Sequence, residues 1–430
     1  NLTIEGDLPT SGSDHLNVDN TGDSANRTAT LTSTTLSGLG MGGTISYGTI
    51  EHLLISLGSG IDTFTVESTH KTTDLAALAL AFQKDTTLRT GAGNDQVVIN
   101  SADDLLVVEG QADNDTVTVN GTNAGSSSTL RGDGGDDTFN IRAMDGSVLV
   151  EGGTGSDTTN VSDQAPSRPS TNGNTTPTGV ITAINGLLTV DGGNADTSSD
   201  QLNIDDSAAA NAKAGILDQV EDNTFSLRGM ELERGINYRN LESLNLWMGA
   251  SADHLLVNAT HSTATNVFSA AGADQIQIND ADGQLTIYAE GGDDIIAVRG
   301  SSSGSRVTIY GQAGSDRIHI SDYGKSDNDK LDLAESTLLP ADYPEGQQGP
   351  GINGIPTPVA STIGKVDGVQ GLVVIDGGAA ANETDVLSID DSGNTIAKAG
   401  TLTGNSLRGL GLGAGVDYTN LEALKLWLGT

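Results

Sequence analysis

A chain of 430 residues is long enough for two or three ordinary domains, but 57 of them are Gly, aromatics make up 3% and hydrophobic residues only 35%. A core with so few large side chains has to be thin and repeated. The formal charge of −37, with only 20 Lys and Arg, excludes nucleic acid and an anionic membrane as partners, because both are held by basic patches.

Asp outnumbers Glu about three to one. Asp is the better turn residue, since its short side chain bonds to nearby backbone, so the acidity is expected mainly in turns. The longest strongly apolar run, LAALALAF (75–82), is too short to span a bilayer, so no membrane insertion is expected. There is no Cys, which is compatible with secretion if something other than disulfides staples the fold. The chain begins at Asn1 without an initiator Met or a signal segment, as a processed product or an excerpt of a longer protein would.

Read in chain order, the sequence repeats at two scales. LTIEG (2–6) and DHLNVD (14–19) open it, followed by TLSGLGMGGTISYGTIEHLLISLG (35–58). A series of glycine-aspartate corners then begins: GSGIDTFTV (58–66), GAGNDQVVI (91–99), GQADNDTVTV (110–119), GDGGDDTFNI (132–141) and EGGTGSDTTNV (151–161). The first two segments recur as LTVDG (188–192) and DQLNIDDS (200–207), and the third as SLRGMELERGINYRNLESLNLWMG (226–249). Four more corners follow: GASADHLLV (249–257), AGADQIQI (271–278), EGGDDIIAV (290–298) and GQAGSDRIHI (311–320). VVIDG (373–377), DVLSIDDS (385–392) and SLRGLGLGAGVDYTNLEALKLWLG (406–429) start the series a third time.

Asp95, Asp115, Asp137 and Asp157 are 20 to 22 residues apart, as are Asp253, Asp274, Asp294 and Asp316. Alternating apolar residues follow nearly every Asp, and a second strand such as LLVVE (105–109) or RVTIY (306–310) precedes most corners. Neither strand can bury its apolar side alone, but stacked copies can. The expected fold is therefore all-β, a parallel β-solenoid with rungs of about 20–22 residues inside a tandem repeat of about 185. At about 4.8 Å a rung, some 18 to 20 rungs would extend on the order of 90 Å.

Its expected organisation is a first solenoid copy at 1–161, a second at 187–339 and the start of a third at 372–430. Between them lie a Pro/Ser/Thr-rich stretch at 162–186 and a Pro/Gly-rich one at 340–371. Loops bulging from a continuous stack are favoured over linkers here, because breaking a stack exposes apolar ends while lengthening a loop costs little. An insert at 71–85, with Asp74 as a helix N-cap, is found in the first copy alone.

The corner in its fullest form, Gly152-Gly153-Thr154-Gly155-Ser156-Asp157, resembles the calcium-binding nonapeptide GGxGxDxUx of RTX proteins. That resemblance implies a parallel β-roll of a large repetitive cell-surface type, in which turn carbonyls and Asp carboxylates of successive rungs hold Ca²⁺ between them. Carried onto this chain, the implied ligand positions are Asp62, Asp95, Asp115, Asp137, Asp157, Asp253, Asp274, Asp294 and Asp316, with Gly93, Gly135, Gly153, Gly155, Gly292 and Gly314 shaping the turns. Ca²⁺ takes six to eight hard oxygens and would reverse the repulsion of a ladder of like charges. The sequence departs from the pattern in carrying the turn on one edge of a longer rung, with Asp113 and Ser251 where the glycine two before the Asp should stand. The alternative is that each Asp merely closes its turn on backbone.

Trp247 and Trp427 occupy one place in two copies. Alternation with Leu244, Leu246 and Met248 points Trp247 outward, where it either docks a glycan or neighbouring subunit or lies against Tyr238 or a loop. His70 and His261, in STH and ATH, are expected to be solvated or hydrogen-bonded. Asn-x-Ser/Thr sequons at Asn26, Asn120, Asn174, Asn258 and Asn382 permit N-glycosylation.

Conspicuous residues recur with the repeat, as a catalytic cluster would not, so no enzyme is expected, though a β-helix polysaccharide-modifying module stays a remote alternative. The expected function is an extracellular structural rod of a cell-surface adhesion protein, stiffened by Ca²⁺. The alternative is a glycosylated subunit of an assembled filament such as a flagellar hair or surface layer. Its partners would be copies of itself, other surface proteins or glycans.

Overall fold

The computed structural model describes residues 1–6, 13–71, 84–167, 178–193, 198–322, 364–379 and 382–429. Most of the 71–85 insert, Asn174 and the stretch 340–358 lie outside these residues. The described chain is all-β, without a helix, and its short strands form two mostly parallel sheets, a β-solenoid. Two compact units are distinguished: residues 1–166 with 181–203 and 238–241, and residues 167–180 with 204–237 and 242–430.

In the first unit the strands that enter the corners pair with one another. Asp85–Arg89 lies on Leu105–Glu109, then Ser127–Gly134, Ser147–Thr154 and Leu188–Gly193, every pair parallel. The strands that leave the corners form the second sheet: Thr63–Val66, Gln96–Ile99, Thr116–Val119, Thr138–Ile141 and Thr158–Val161. Leu105 faces Ser127 and Ser127 faces Ser147, so a step up the stack is the 20 or 22 residues of the sequence period. Alternation then buries one side of each strand. Val97 and Ile99, Val117 and Val119, and Phe139 and Ile141 form one wall of the core, and Leu106, Val108, Leu130, Val148 and Val150 the other.

The second unit is built alike. Ser243–Trp247, Ala264–Phe268, Gln284–Tyr288, Arg306–Tyr310 and Leu372–Asp376 enter the corners. His254–Val257, Gln275–Ile278, Ile295–Val298, Arg317–Ile320 and Val386–Asp390 leave them. Arg306 pairs directly with Leu372, and Val148 with Leu188, so strands flanking each proline-rich stretch are neighbours in the stack.

Each copy also contains antiparallel strands that the sequence reading did not foresee. Thr28–Leu31, Thr35–Gly38 and Thr44–Gly48 form a meander whose outer strands are parallel to Thr63–Val66 and Leu2–Glu5. Gly400–Leu402, Ser406–Gly409 and Leu412–Thr419 repeat it, and Ala214–Glu221 pairs antiparallel with Thr224–Gly229 in the middle copy.

Candidate functional site

The chain turns at each corner from one sheet to the other, so its N–H groups leave the ladder direction and need other acceptors. Side chains of the adjacent rung supply them. In the first unit the Arg27 N–H donates to Asp62 Oδ1 at 2.7 Å, Asp62 to Asp95 at 2.6 Å, Asp95 to Asp115 at 2.8 Å and Asp115 to Asp137 at 2.7 Å. Asp137 donates to Asp157 at 2.8 Å and Asp157 to Asp200 at 2.9 Å. In the second unit the series runs Lys213 to Asp253 (2.6 Å), Asp253 to Asp274 (2.7 Å), Asp274 to Asp294 (2.7 Å), Asp294 to Asp316 (3.0 Å) and Asp316 to Asp385 (2.9 Å). The Asp385 N–H ends it on Glu422 Oε2 at 2.8 Å.

All nine aspartates singled out in the sequence are therefore members of two buried ladders. Each closes the corner of the neighbouring rung instead of its own turn. The sequence reading missed Asp200, Asp385 and Glu422. Asp200 and Asp385 do precede the strand pattern of QLNID and VLSID, but without a glycine turn at the usual distance.

The preceding residue makes a second, exposed ladder running the opposite way. Asn114 N–H donates to Asn94 Oδ1 (3.2 Å), Asp136 to Asn114 (2.9 Å) and Ser156 to Asp136 (2.8 Å). Ser315 to Asp293 (2.9 Å) and Thr384 to Ser315 Oγ (3.0 Å) repeat it in the second unit. Two consecutive N–H groups are thus satisfied, one from the rung above and one from the rung below. An N–H left buried without an acceptor would cost about 1–3 kcal/mol.

The glycines serve the stacking. Gly135, Gly155, Gly292 and Gly314 have φ between 120° and 135°, and a Cβ on any of them would lie 1.6–2.1 Å from the carbonyl oxygen of the rung below. Asp113 stands at this position with φ 74°, and its carboxylate accepts the Gly93 N–H at 3.0 Å, which offsets the strain. Gly153 is matched in other rungs by Gln111, Asp133, Glu290 and Gln312, all at positive φ, so the left-handed turn there is general while glycine is not. The glycine five before the Asp has a third role. A Cβ on Gly110, Gly132, Gly152 or Gly311 would come within 2.1–2.4 Å of the Oδ2 of Asp115, Asp137, Asp157 or Asp316.

Burial pushes these carboxyls up. Asp115 rises to about 8 and Asp294 to about 9, with acidic neighbours adding to the rise in both, while Asp253 and Asp316 reach about 7 and Asp95, Asp137 and Asp274 about 6. The N–H bonds to the carboxylates oppose burial throughout. Thr90 and Ser269 hydroxyls, five residues before the Asp, help to hold Asp95 and Asp274 lower.

The RTX resemblance implies calcium at this corner, where the ladder carboxylates already accept backbone N–H groups. One oxygen of each ladder Asp accepts an N–H, and at Asp115, Asp137, Asp157 and Asp316 the space opened by the glycine five residues earlier is filled by the other oxygen. Among the described residues no group of three or more His, Asp and Glu could hold a metal ion.

Trp247 corrects the expectation of a partner contact. Its side chain is fully buried, stacked on Phe268 with ring centres 5.2 Å apart, and the stack continues through Tyr288 to Tyr310. A side chain directed away from the core is not thereby exposed, because identical positions on successive rungs cover one another. Trp427, in the last described strand, is half-buried. His70 and His261 are buried, with hydroxyl partners in Thr86 (3.2 Å) and Thr265 (3.3 Å).

Among the sequons, Asn26 and Asn382 are exposed. Asn120 and Asn258 are half-buried in ladders of their own, Asn120 donating to Asn100 (2.8 Å) and Asn258 accepting from Asn279 (2.8 Å). One groove of about 420 Å³ lies in the first unit. It is lined by stacked His15 and His52, Asp85 at 2.5 Å from His52 Nδ1, Leu54, Thr87 and Arg89. In the other two copies Gln201 and Val386 replace His15, and Ser243 and Ala423 replace His52. Compared with known proteins, the chain matches no family model and no curated protein.

Proposed function

We propose that the chain is a structural segment of a long, repetitive extracellular surface protein, setting length and stiffness for adhesion or display. The observation that carries this reading is the corner ladder. Its chemistry repeats from rung to rung and satisfies the next rung as it satisfies the last, so it specifies extension. The charge of −37 keeps such a chain soluble and discourages side-to-side association. The filament alternative loses Trp247 as an intersubunit contact, because that indole is covered within its own unit.

The test is small-angle scattering of chains carrying one, two and three of the 185-residue repeats, together with immunogold electron microscopy of the native cell. The expected result is a maximum dimension that grows by an equal increment with each repeat, and gold label along single fibres at the cell surface. A dimension that does not grow with repeat number, or label confined to the cell interior, overturns the reading.

A further inference from the structure

Corner chemistry leaves the outward faces of the strands unexplained, and one of them in the first unit is unlike the rest. Thr28–Leu31, Thr63–Val66, Gln96–Ile99 and Thr116–Val119 lie side by side, parallel and in register without a bulge. Ala29 and Leu31, Phe64 and Val66 and their equivalents are buried, so the residues that alternate with them turn outward. Two columns result. One holds Thr28, Thr63, Gln96 and Thr116, the other Thr30, Thr65, Val98 and Thr118. Thr28 and Gln96 are exposed and the rest half-buried, as expected where equal neighbours flank one another.

The polar groups bordering these columns are engaged, but the threonine hydroxyls are not. On one side Asn26 Oδ1 accepts the Ile61 N–H at 3.0 Å and Asn94 Oδ1 the Asn114 N–H at 3.2 Å. On the other, Asn120 donates to Asn100 at 2.8 Å and Asn100 to Glu67 at 2.9 Å. Among the described residues, the hydroxyls of Thr28, Thr30, Thr63, Thr65 and Thr116 make no hydrogen bond, and Thr118 only accepts, from the Asn140 amide at 3.4 Å. The columns also hold no charged side chain, in a chain with 57 Asp and Glu. This face is not a by-product of the repeat. In the second unit the positions matching Thr118 are Leu256, Gln277, Ala297 and His319, all buried.

We propose that this threonine face binds ice, its hydroxyls and methyls ordering water in the spacing of a crystal surface. Neighbouring rungs stand about 4.8 Å apart and alternate residues of a strand about 6.7 Å apart, so the hydroxyls repeat in two directions. A ligand that meets them all must repeat in two directions as well, which a soluble sugar or peptide does not. Each hydroxyl can donate one hydrogen bond and accept two, which suits water. Branching at Cβ restricts the threonine rotamers, so little side-chain freedom is lost when the surface is occupied. Charged groups would hold hydration shells of their own, and these columns exclude them. Binding of this kind does not depend on where the chain stands in the cell, so it holds or fails apart from the rod.

The test uses the full chain in dilute buffer, measuring the gap between melting and freezing points, the shape of single ice crystals and uptake into slowly growing ice. The expected result is faceted crystals, a gap that widens with protein concentration, and enrichment in the ice relative to an unrelated acidic protein. Thr65→Lys combined with Thr118→Lys should abolish all three, with an unchanged circular dichroism spectrum. Gln275→Lys, at the position of the second unit that matches Thr116, should leave them as in the parent. Thr65→Ser combined with Thr118→Ser keeps both hydroxyls and removes one methyl from each, so it tests the face even if the lysine pair misfolds, and it should narrow the gap. A parent chain that is excluded from ice and leaves crystals round, a lysine pair that binds as the parent does, or a serine pair without loss overturns the proposal. So does retention on crystalline cellulose or chitin without any effect on ice, since the matching repeat would then be that of a polysaccharide.

Discussion

The parallel rungs and the antiparallel meanders solve one problem in opposite ways. Where the chain climbs a rung per turn, corner N–H groups are met by side chains of other rungs, so each corner is complete only in company. Where it doubles back, hairpin bonds do the work locally: Leu31 pairs with Leu36, and Leu402 with Leu407. Even the side-chain bonds are local. The Tyr47 hydroxyl donates to the Thr32 carbonyl at 2.5 Å, and Tyr418 to Thr403 at 2.7 Å. Stability in the rungs is therefore cooperative along the stack, and in the meander it is held within about twenty residues.

The largest expected effect separates the two kinds of glycine. Gly292→Ala places a methyl at φ 132° and 1.6 Å from the Gly272 carbonyl oxygen, where backbone meets backbone and neither can yield. It should cost about 3 kcal/mol or more in denaturant unfolding. Gly215→Ala, in the meander, meets Met230 Cγ at 2.9 Å, a side chain able to turn aside, and the first copy already carries Ala29 at that place. Its cost should stay within about 1 kcal/mol. Equal losses would show that the rungs are no more tightly coupled than the meanders.

Tyr47→Phe comes next. It leaves the Thr32 carbonyl without its hydroxyl donor at a buried ring and should cost about 1 kcal/mol. Because the bond is local, hydrogen exchange should quicken in the strands Thr28–Leu31 to Thr44–Gly48 and stay unchanged around Asp137. Exchange that quickens throughout the first unit would erase the contrast.

The rungs were legible because Asp followed by alternating apolar residues is rare outside a repeat, and its 20–22 spacing gives the strand pairing directly. Their register is that spacing. The meanders were not legible, because TFSLRG and LERGINYR alternate as the parallel strands do. What reverses the chain is three successive residues at positive φ, Gly229-Met230-Glu231 and Gly409-Leu410-Gly411, of which the middle one is a bulky apolar residue that no turn rule selects. The ladder was half legible. Repetition of Asp showed that a shared role existed, but whether its oxygens meet a metal or the N–H of another rung depends on which way the carboxyl turns. That direction is fixed only once the rungs are stacked and the N–H of the neighbouring corner is in place.

The smallest expected effect concerns the cation at the start of each meander, and it shows how a copy can change residues and keep an interaction. Arg27 pairs with Asp23 at 2.6 Å, four residues before it. Lys213 pairs with Glu231, across the hairpin. Lys398 pairs with Asp367, from a neighbouring segment, and Gly411 takes the place of Glu231. A Cβ on Gly411 would fall against both Asp367 Oδ1 and Lys398 Nζ, so the two carboxylates reach one point from different parts of the chain. Asp367→Thr should then cost only about 0.5 kcal/mol, since Asp367 is half exposed and water screens the pair. Adding Gly411→Glu should recover the loss, because Glu231 already adopts φ 63° at that position. Urea unfolding of the two single variants and the double would measure the coupling. Additive losses in the double variant would mean that the carboxylates are not interchangeable, and that each copy holds its cation by a contact of its own.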